Sequence, residues 1–214
     1  MYLILARHGN TFSPNDPVVW AGATNDLPLV KKGVEQAHIL AEALLTQAVI
    51  PARIYCSPLQ RTRSYAEIIS ARLGLATPPQ VDPRLNEIDY GQWTGLTDQQ
   101  VAHQFGAQPL RDWQEKSLWP SQGNWGSSAA TVIQEIQSFV TELLSLHKEN
   151  ETLLVVSSNG KLRYFLTLVP GEFDKRVIQA SFKMKTGNIA KLRLDNGTYS
   201  IPYWNQQPNL DLPI

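Results

Sequence analysis

The chain has 214 residues, and its 19 lysines and arginines balance its 19 aspartates and glutamates. This balance, without a basic tract, argues against counterion-releasing nucleic-acid binding, and no apolar run approaches the length that spans a bilayer. Cys56 is the only cysteine, which excludes an intrachain disulfide and favours a reducing compartment. We therefore expect a single cytoplasmic domain over residues 1–214, with no nucleic-acid or membrane partner.

The first half of the chain alternates short apolar strands with helices. Residues 2–6 predict a buried strand, and residues 31–48 carry apolar side chains at helical spacing. Residues 53–56 predict a second short strand. A second helix is expected over 58–74, where Gly74 is typical of a helix C-terminus.

The second half predicts a third strand and a hairpin. Residues 152–157 form an apolar strand that is followed by an apolar-faced segment, 160–169. Residues 189–204 predict a β-hairpin that turns at Asp195-Asn196-Gly197. Strands that alternate with helices across long crossovers indicate a three-layer α/β/α fold with a mainly parallel sheet, to which the hairpin adds an antiparallel edge.

The segment at about 86–128 differs from its surroundings. It lacks a long periodic pattern and contains four of the six tryptophans, at positions 93, 113, 119 and 125. We expect it to form a Trp-rich cap inserted into the domain. The rings either pin a loop-rich cap by aromatic packing or line the mouth of a substrate site, and both interpretations can hold together.

Arg7 and His8 stand where the first predicted strand ends. Ligands of such sheets bind beyond the carboxyl ends of the strands. A neutral imidazole is a competent nucleophile, and an adjacent guanidinium can hold an anion and disfavour the imidazolium. Asn10, Thr11 and Asn15 follow in the next loop and are further candidates for phosphate contacts.

Two more charged side chains complete the candidate site. Arg61 is expected in the first turn of the second helix, where free backbone N–H groups and a positive charge together suit a phosphate. We interpret Arg63 as a solvated helix residue. Glu87 follows Pro83 in a turn and is a candidate proton donor to a leaving alkoxide. Gly22 has two alternative interpretations: it allows the backbone to approach the ligand closely, or it is an ordinary turn glycine.

These stretches resemble the histidine phosphatase superfamily, in its phosphoglycerate-mutase-like branch. The resemblance rests on LARHGNT, DLPLVKKGVEQA, IYCSPLQRTRSYA, LNEIDYGQWTG and the frame of VVSSNGKLR, which span most of the chain. It implies that His8 becomes phosphohistidine, that Arg7 and Arg61 clamp the phosphoryl oxygens, and that Glu87 is the acid/base. It implies no metal and no other cofactor, since paired arginines replace the cation used elsewhere.

One position departs from the family pattern. Ser158 stands where the family has a second histidine and Asn159 where glycine is common, while Arg163 keeps the arginine position. His38, His103 and His147 are not expected to substitute. Loss of one charge-assisted hydrogen bond costs about 1.5–3 kcal/mol, or roughly ten- to a few-hundredfold in rate. We expect Ser158 and Asn159 to complete the phosphate cradle, to cap the following helix, or both.

The sequence thus predicts metal-independent hydrolysis of a small-molecule phosphomonoester through a phosphohistidine. Phosphoglycerate-mutase-type transfer is one alternative, but the cap offers only Arg111 and Lys116 as cations. We interpret this as an aromatic, weakly charged cap that suits an apolar or bulky alcohol. A catalytically weakened phosphoester-binding protein is the other alternative, which the retained Glu87 disfavours. The substrate and the oligomeric state are left open.

Overall fold

The structure, a computed structural model, describes residues 1–195, 197–209 and 214. Within this part of the chain a six-stranded sheet has the order β3-β2-β4-β1-β5-β6. The strands are β1 (Tyr2–Arg7), β2 (Arg53–Cys56), β3 (Gln80–Val81), β4 (Thr152–Ser157), β5 (Ile189–Asp195) and β6 (Thr198–Gln206). The helices are α1 (Lys31–Thr46), α2 (Gln60–Leu73), α3 (Asp98–Phe105), α4 (Ala107–Lys116), α5 (Ala129–Leu146), α6 (Asn159–Leu162) and α7 (Glu172–Ile178).

The four strands β3, β2, β4 and β1 run parallel, and β5 and β6 add an antiparallel edge. In the register of the central pair, Tyr2 lies opposite Thr152 and Arg7 opposite Ser157. The carboxyl ends of β1 and β4 therefore reach the same height at the sheet edge. This alignment brings the residues after both strands together.

Successive side chains of the strands point to opposite faces of the sheet and pack into two apolar cores, one on each face. Ile4, Ile54 and Leu154 pack with the buried faces of α1 and α2. On the other face, Leu3 and Leu153 pack with α5, with the segment after β4 and with the cap aromatics. The parallel strands are covered on both faces, as their near-continuous apolar runs predict.

The predicted three-layer α/β/α fold with a mainly parallel sheet and a C-terminal hairpin is confirmed. The first strand is one residue longer than expected, and α2 ends at Gly74 in the left-handed conformation. Asn196, the middle residue of the predicted hairpin turn, lies outside the described residues. Segment 160–169 forms only the short α6 followed by a 3-10 turn over Arg163–Leu168.

The segment at 86–128 contains two helices, α3 and α4, although it carries no long periodic pattern. Thr97 caps α3 by accepting from the backbone of Gln100, whose side chain accepts from the Thr97 backbone. This reciprocal capping pattern was readable in the sequence. No helix in the described part of the chain is both long and apolar enough to cross a membrane.

Candidate active site

A cavity of about 1370 Å³ lies over the carboxyl ends of β1 and β4. The backbone N–H of His8 donates to the carbonyl of Ser157 at 3.1 Å, which extends the parallel pairing by one residue. His8 directly follows β1 and Ser158 directly follows β4, so these two residues lie side by side at the edge of the sheet. Arg7, at the end of β1, and His8, which follows it, line the cavity. Asn159, the first residue of α6 after β4, lines it as well.

The glycine after His8 permits a close backbone contact. A Cβ at Gly9 would collide with the backbone of Gly33, and a Cβ at Gly33 would collide with the backbone of Asn10. Because neither residue has a side chain, the first turn of α1 packs directly on the loop after β1. The contact holds Asn10 and His8 at the edge of the cavity.

The His8 imidazole is buried and presents one free ring nitrogen. Its Nδ1 lies 2.7 Å from the carbonyl oxygen of Gly9. A carbonyl only accepts, so Nδ1 carries the proton and Nε2 keeps its lone pair. Burial lowers the pKa of His8 well below its usual range, and Arg7 and Arg61 lower it further. At neutral pH the ring is therefore uncharged and nucleophilic.

Two arginines flank the imidazole and are held by backbone carbonyls: Arg61 is buried and Arg7 is half-buried. Arg7 donates from Nη1 to Met184 O at 2.6 Å, and its Nε has no hydrogen-bond partner among the described residues. Arg61, from the first turn of α2, donates to Gly22 O at 2.7 Å and to Asn25 O at 3.1 Å. Burial lowers the pKa of Arg7 to about 10, so this guanidinium stays charged at neutral pH.

Glu87 reaches the cavity from the turn after β3. Its carboxylate accepts from the backbone N–H groups of Gly160 at 3.2 Å and Lys161 at 3.1 Å, and from its neighbour Ile88 at 2.8 Å. These bonds orient the carboxylate toward the same cavity that His8 lines. Burial, and next the charge of Glu87, raises the pKa of Tyr90 well above its usual range, so this phenol beside the carboxylate stays protonated.

The structure brings most of the predicted site residues to the cavity, which Asn10 also lines. The Asn10 Oδ1 accepts from Thr186 Oγ1 at 2.6 Å, and the Asn159 Oδ1 accepts from Met184 N at 2.8 Å. Ser158 is buried, and within the described part of the chain its hydroxyl has no partner and the residue does not line the cavity. Asn15 is exposed and is not among them either. The phosphate-binding roles of these residues stay predictions.

A third arginine in the cavity wall, Arg163, was placed by the sequence analysis in the family pattern but not among the site residues. Arg163 is 3% exposed and donates to Ser117 Oγ at 2.9 Å and to Asn159 O at 3.3 Å. Its guanidinium lies over the Trp113 ring, 4.6 Å from the centroid. The motif frame contained this arginine, but only the tertiary structure turns it toward the cavity.

The positive groups of the site outnumber the negative ones. The Glu87 charge opposes the loss of charge on Arg7, Arg61 and Arg163, since it raises the pKa of each. Asp26 lies 4.0 Å from Arg61 and is half-exposed, so it offsets part of that charge. With His8 neutral, the buried centre retains an excess of positive charge. Such a centre suits a dianion such as a phosphoryl group.

A family comparison accounts for this constellation. The model of the histidine phosphatase superfamily, branch 1, matches residues 3–207. The chain belongs to the histidine phosphatase superfamily. Among curated relatives of this superfamily member, phosphoserine phosphatase 1 of Hydrogenobacter thermophilus is 28% identical over 99% of this chain and 90% of its own.

Other relatives of this histidine phosphatase superfamily protein carry different activities. The adenosylcobalamin/alpha-ribazole phosphatase of Salmonella typhimurium is 32% identical and aligns over 76% of each chain. Several others are named 2,3-bisphosphoglycerate-dependent phosphoglycerate mutases. A solved mycobacterial glucosyl-3-phosphoglycerate phosphatase has a TM-score of 0.78 at 25% identity, covering 96% of this chain and 99% of its own. The relatives therefore include both phosphatases and mutases.

In this superfamily member the segment 86–128 contains a cluster of tryptophans that pack edge to face. Trp93, Trp113 and Trp119 each contact Trp125 or one another, with ring centroids 4.8–5.3 Å apart. Of these rings, Trp113 lines the cavity. The cap cations Arg111 and Lys116 are not among the described residues that line it, since they bind Gln108 and Asp112 instead. That the segment acts as a cap stays a prediction.

Proposed function

We propose that this protein hydrolyses a small-molecule phosphomonoester through a phosphohistidine at His8. One observation carries the proposal: a buried, neutral imidazole, protonated on Nδ1, lines the same cavity as Arg7, Arg61 and Glu87. A nucleophile, an anion clamp and an acid/base are the groups that metal-free phosphoryl transfer requires. Membership of a superfamily whose relatives include phosphatases supports the same reaction.

The first step transfers the phosphoryl group to the enzyme. The His8 Nε2 attacks phosphorus in line while the bond from phosphorus to the ester oxygen breaks. Arg7 and Arg61 donate to the equatorial oxygens, where charge is concentrated. In the substrate complex Glu87 carries a proton, taken up as the phosphoryl dianion binds beside it, and gives it to the departing alkoxide, so the alcohol leaves neutral and the carboxylate is left ionised.

The second step restores the enzyme. Ionised Glu87 takes a proton from a water molecule as that water attacks phosphorus, and the bond from phosphorus to His8 breaks. Phosphate leaves, and both Glu87 and the imidazole return to their starting protonation states. The Gly160 and Lys161 N–H groups, which bind the carboxylate, hold it in place for both proton transfers.

Phosphate release from p-nitrophenyl phosphate tests the proposal. We expect His8→Ala to abolish turnover, while His38→Ala, a matched change on the exposed face of α1, leaves it intact. In the wild type, rapid acid-free quenching and mass spectrometry should detect a phosphoryl adduct on the peptide that contains residue 8. Equal rates for wild type and His8→Ala would contradict the proposal.

Mutase-type transfer is the second candidate, and the curated mutase relatives favour it. A mutase passes the phosphoryl group to a second acceptor, whereas a phosphatase passes it to water. Incubation with 2,3-bisphosphoglycerate and 3-phosphoglycerate distinguishes the two. We expect inorganic phosphate as the product; exchange of phosphoryl groups without phosphate release would favour the mutase.

A weakened phosphoester-binding protein is the remaining alternative. The placement of Glu87 in the same cavity as His8 opposes it, because a carboxylate weakens the binding of a phosphate that is only held. Calorimetry with inorganic phosphate separates the cases. Binding without any His8-dependent turnover of phosphomonoesters would support the binder.

A further inference from the structure

The short helix α6 binds the Glu87 carboxylate through its backbone. Two of the three N–H groups that donate to this carboxylate belong to Gly160 and Lys161, and the third belongs to Ile88, the chain neighbour of Glu87. α6 has only four residues and continues into a 3-10 turn. A helix this short is not held by its own hydrogen bonds, so tertiary contacts decide where its N–H groups lie.

The Lys161 side chain ties α6 to α5. Its Nζ donates to Glu135 Oε2 at 2.5 Å, and the side chain is 3% exposed. Within the described part of the chain, no other carboxylate pairs with this ammonium. Glu135 lies on α5, a helix of 18 residues whose apolar face packs in the core. Lys161 therefore contacts Glu87 through its backbone and α5 through its side chain.

The stability of the fold does not require a charge at position 161. Moving an ammonium out of water costs free energy, and apolar side chains of similar volume often replace a buried ion pair without loss of stability. The adjacent side chains, Leu162 on α6 and Ile136 on α5, already belong to one apolar core. The ion pair adds direction, because a charge-assisted hydrogen bond restricts both distance and angle. It therefore suits the task of holding α6 at one place on α5.

We propose that the ion pair of Lys161 with Glu135 positions Glu87 for proton transfer, by fixing the backbone N–H groups that bind its carboxylate. This inference rests on the proposed phosphatase function and adds two positioning residues to it. Neither Lys161 nor Glu135 is among the described residues that line the cavity, so both act through Glu87 and not on the ligand. Their loss should therefore impair the proton transfers and leave the phosphate clamp intact.

Lys161→Met tests the proposal, because methionine keeps most of the apolar side chain and removes the ammonium. We expect kcat for an alkyl phosphomonoester to fall roughly ten- to a hundredfold, the range for a small displacement of a catalytic group. The first-turnover release of p-nitrophenol from p-nitrophenyl phosphate should change less than about threefold, since this leaving group departs without a proton. A merely structural role would lower both rates alike.

Two further variants separate positioning from folding. Lys161→Arg keeps the charge and should restore most of the lost kcat. The double variant Lys161→Met/Glu135→Met leaves no unpaired charge, so it should unfold at a urea concentration no lower than the wild type and still show the loss. In a Glu87→Gln background, Lys161→Met should add less than about twofold, because both changes affect the same proton transfer.

Glu142→Gln is the matched control. Glu142 also lies on α5 and pairs with a cation of another segment, Arg84, at 2.7 Å, but Arg84 is held by Asp82 as well. The alkyl phosphomonoester should be turned over at the wild-type rate in this variant. Unchanged kcat in Lys161→Met, equal losses for the two leaving groups, or a full additive loss in the Glu87→Gln background would each overturn the proposal.

The phosphatase proposal and the positioning proposal fail in different ways. If p-nitrophenyl phosphate is not hydrolysed in a His8-dependent manner, the phosphatase proposal fails. If it is hydrolysed but Lys161→Met does not change the difference between the alkyl and aryl substrates, only the positioning proposal fails.

Discussion

The Glu87 carboxylate lies directly against the Cα of Gly160. The Gly160 N–H donates to Glu87 Oε2 at 3.2 Å, and a Cβ at residue 160 would collide with Oε1 and with the Tyr90 hydroxyl. Because Gly160 has no side chain, the carboxylate of Glu87, the proposed acid/base, can occupy this position.

Gly160→Ala should displace the Glu87 carboxylate and lower kcat about a hundredfold, because an error of about 1 Å in a catalytic group costs this much. Steady-state kinetics with an alkyl phosphomonoester measures the loss. If the effect passes through Glu87, Gly160→Ala adds little in a Glu87→Gln background. Independent, additive losses in the two variants would contradict this coupling.

Glu87→Gln keeps the size of the side chain but removes its proton transfer. We expect kcat for an alkyl phosphomonoester to fall roughly 10²- to 10⁴-fold, the usual contribution of a general acid. The loss in the phosphorylation step should be smaller for p-nitrophenyl phosphate, because p-nitrophenolate leaves without protonation. Pre-steady-state release of p-nitrophenol measures that step. Glu149→Gln, at an exposed position, is the control, and equal losses for both leaving groups would argue against an acid role.

The pH dependence of kcat/KM should report the electrostatic environment of His8. Its pKa is lowered, so the ring becomes protonated and inactive only well below pH 6.5, and the acid limb due to His8 lies there. Arg61 contributes to the lowering, so Arg61→Met should move this limb to higher pH and reduce activity roughly 10²- to 10³-fold. Arg63→Met, on the exposed face of α2, should leave the limb in place. An unmoved limb in Arg61→Met would contradict the assignment.

Ser158→Ala tests whether the Ser158 hydroxyl contributes to ligand binding rather than to the stability of the fold. A buried hydroxyl without a partner costs about 1–3 kcal/mol, so its removal should raise the free energy of unfolding by about 1 kcal/mol. If the hydroxyl contacts the phosphoryl group, kcat/KM should fall about tenfold. Urea titration and steady-state kinetics provide the two measurements, and an unchanged kcat/KM would remove Ser158 from the phosphate site.

Ser157→Ala is the internal contrast to that variant. The Ser157 hydroxyl donates to the buried carbonyl of Leu85 at 2.7 Å, so its removal leaves an acceptor without a partner. The free energy of unfolding should then fall by about 1–3 kcal/mol. If the free energy of unfolding rises in Ser158→Ala and falls in Ser157→Ala, then the Ser157 hydroxyl stabilises the fold and the Ser158 hydroxyl does not.

The pattern of apolar residues in the sequence predicted those helices and strands whose buried positions recur at a regular spacing. α1 places Ala37, Leu40 and Leu44 on one buried face, and β4 is an unbroken apolar run between two cores. The helices α3 and α4 have only 8 and 10 residues and carry no long apolar period, so the local signal for α3 is mainly its capping pair, Thr97 and Gln100. β3 is two residues long and carries too short a pattern to be detected.

The sequence by itself predicted five of the six strands and the covering helices, and it placed Arg7 and His8 at the carboxyl edge of the sheet, where ligands bind. The family resemblance added Arg61 and Glu87 to that group. Only the tertiary structure decided which nitrogen of His8 is protonated, the excess of positive charge at the site, and the position of Arg163 in the cavity wall. These properties depend on desolvation and on contacts between residues far apart in the chain, such as the 2.6 Å bond from Arg7 to Met184, and no local pattern encodes them.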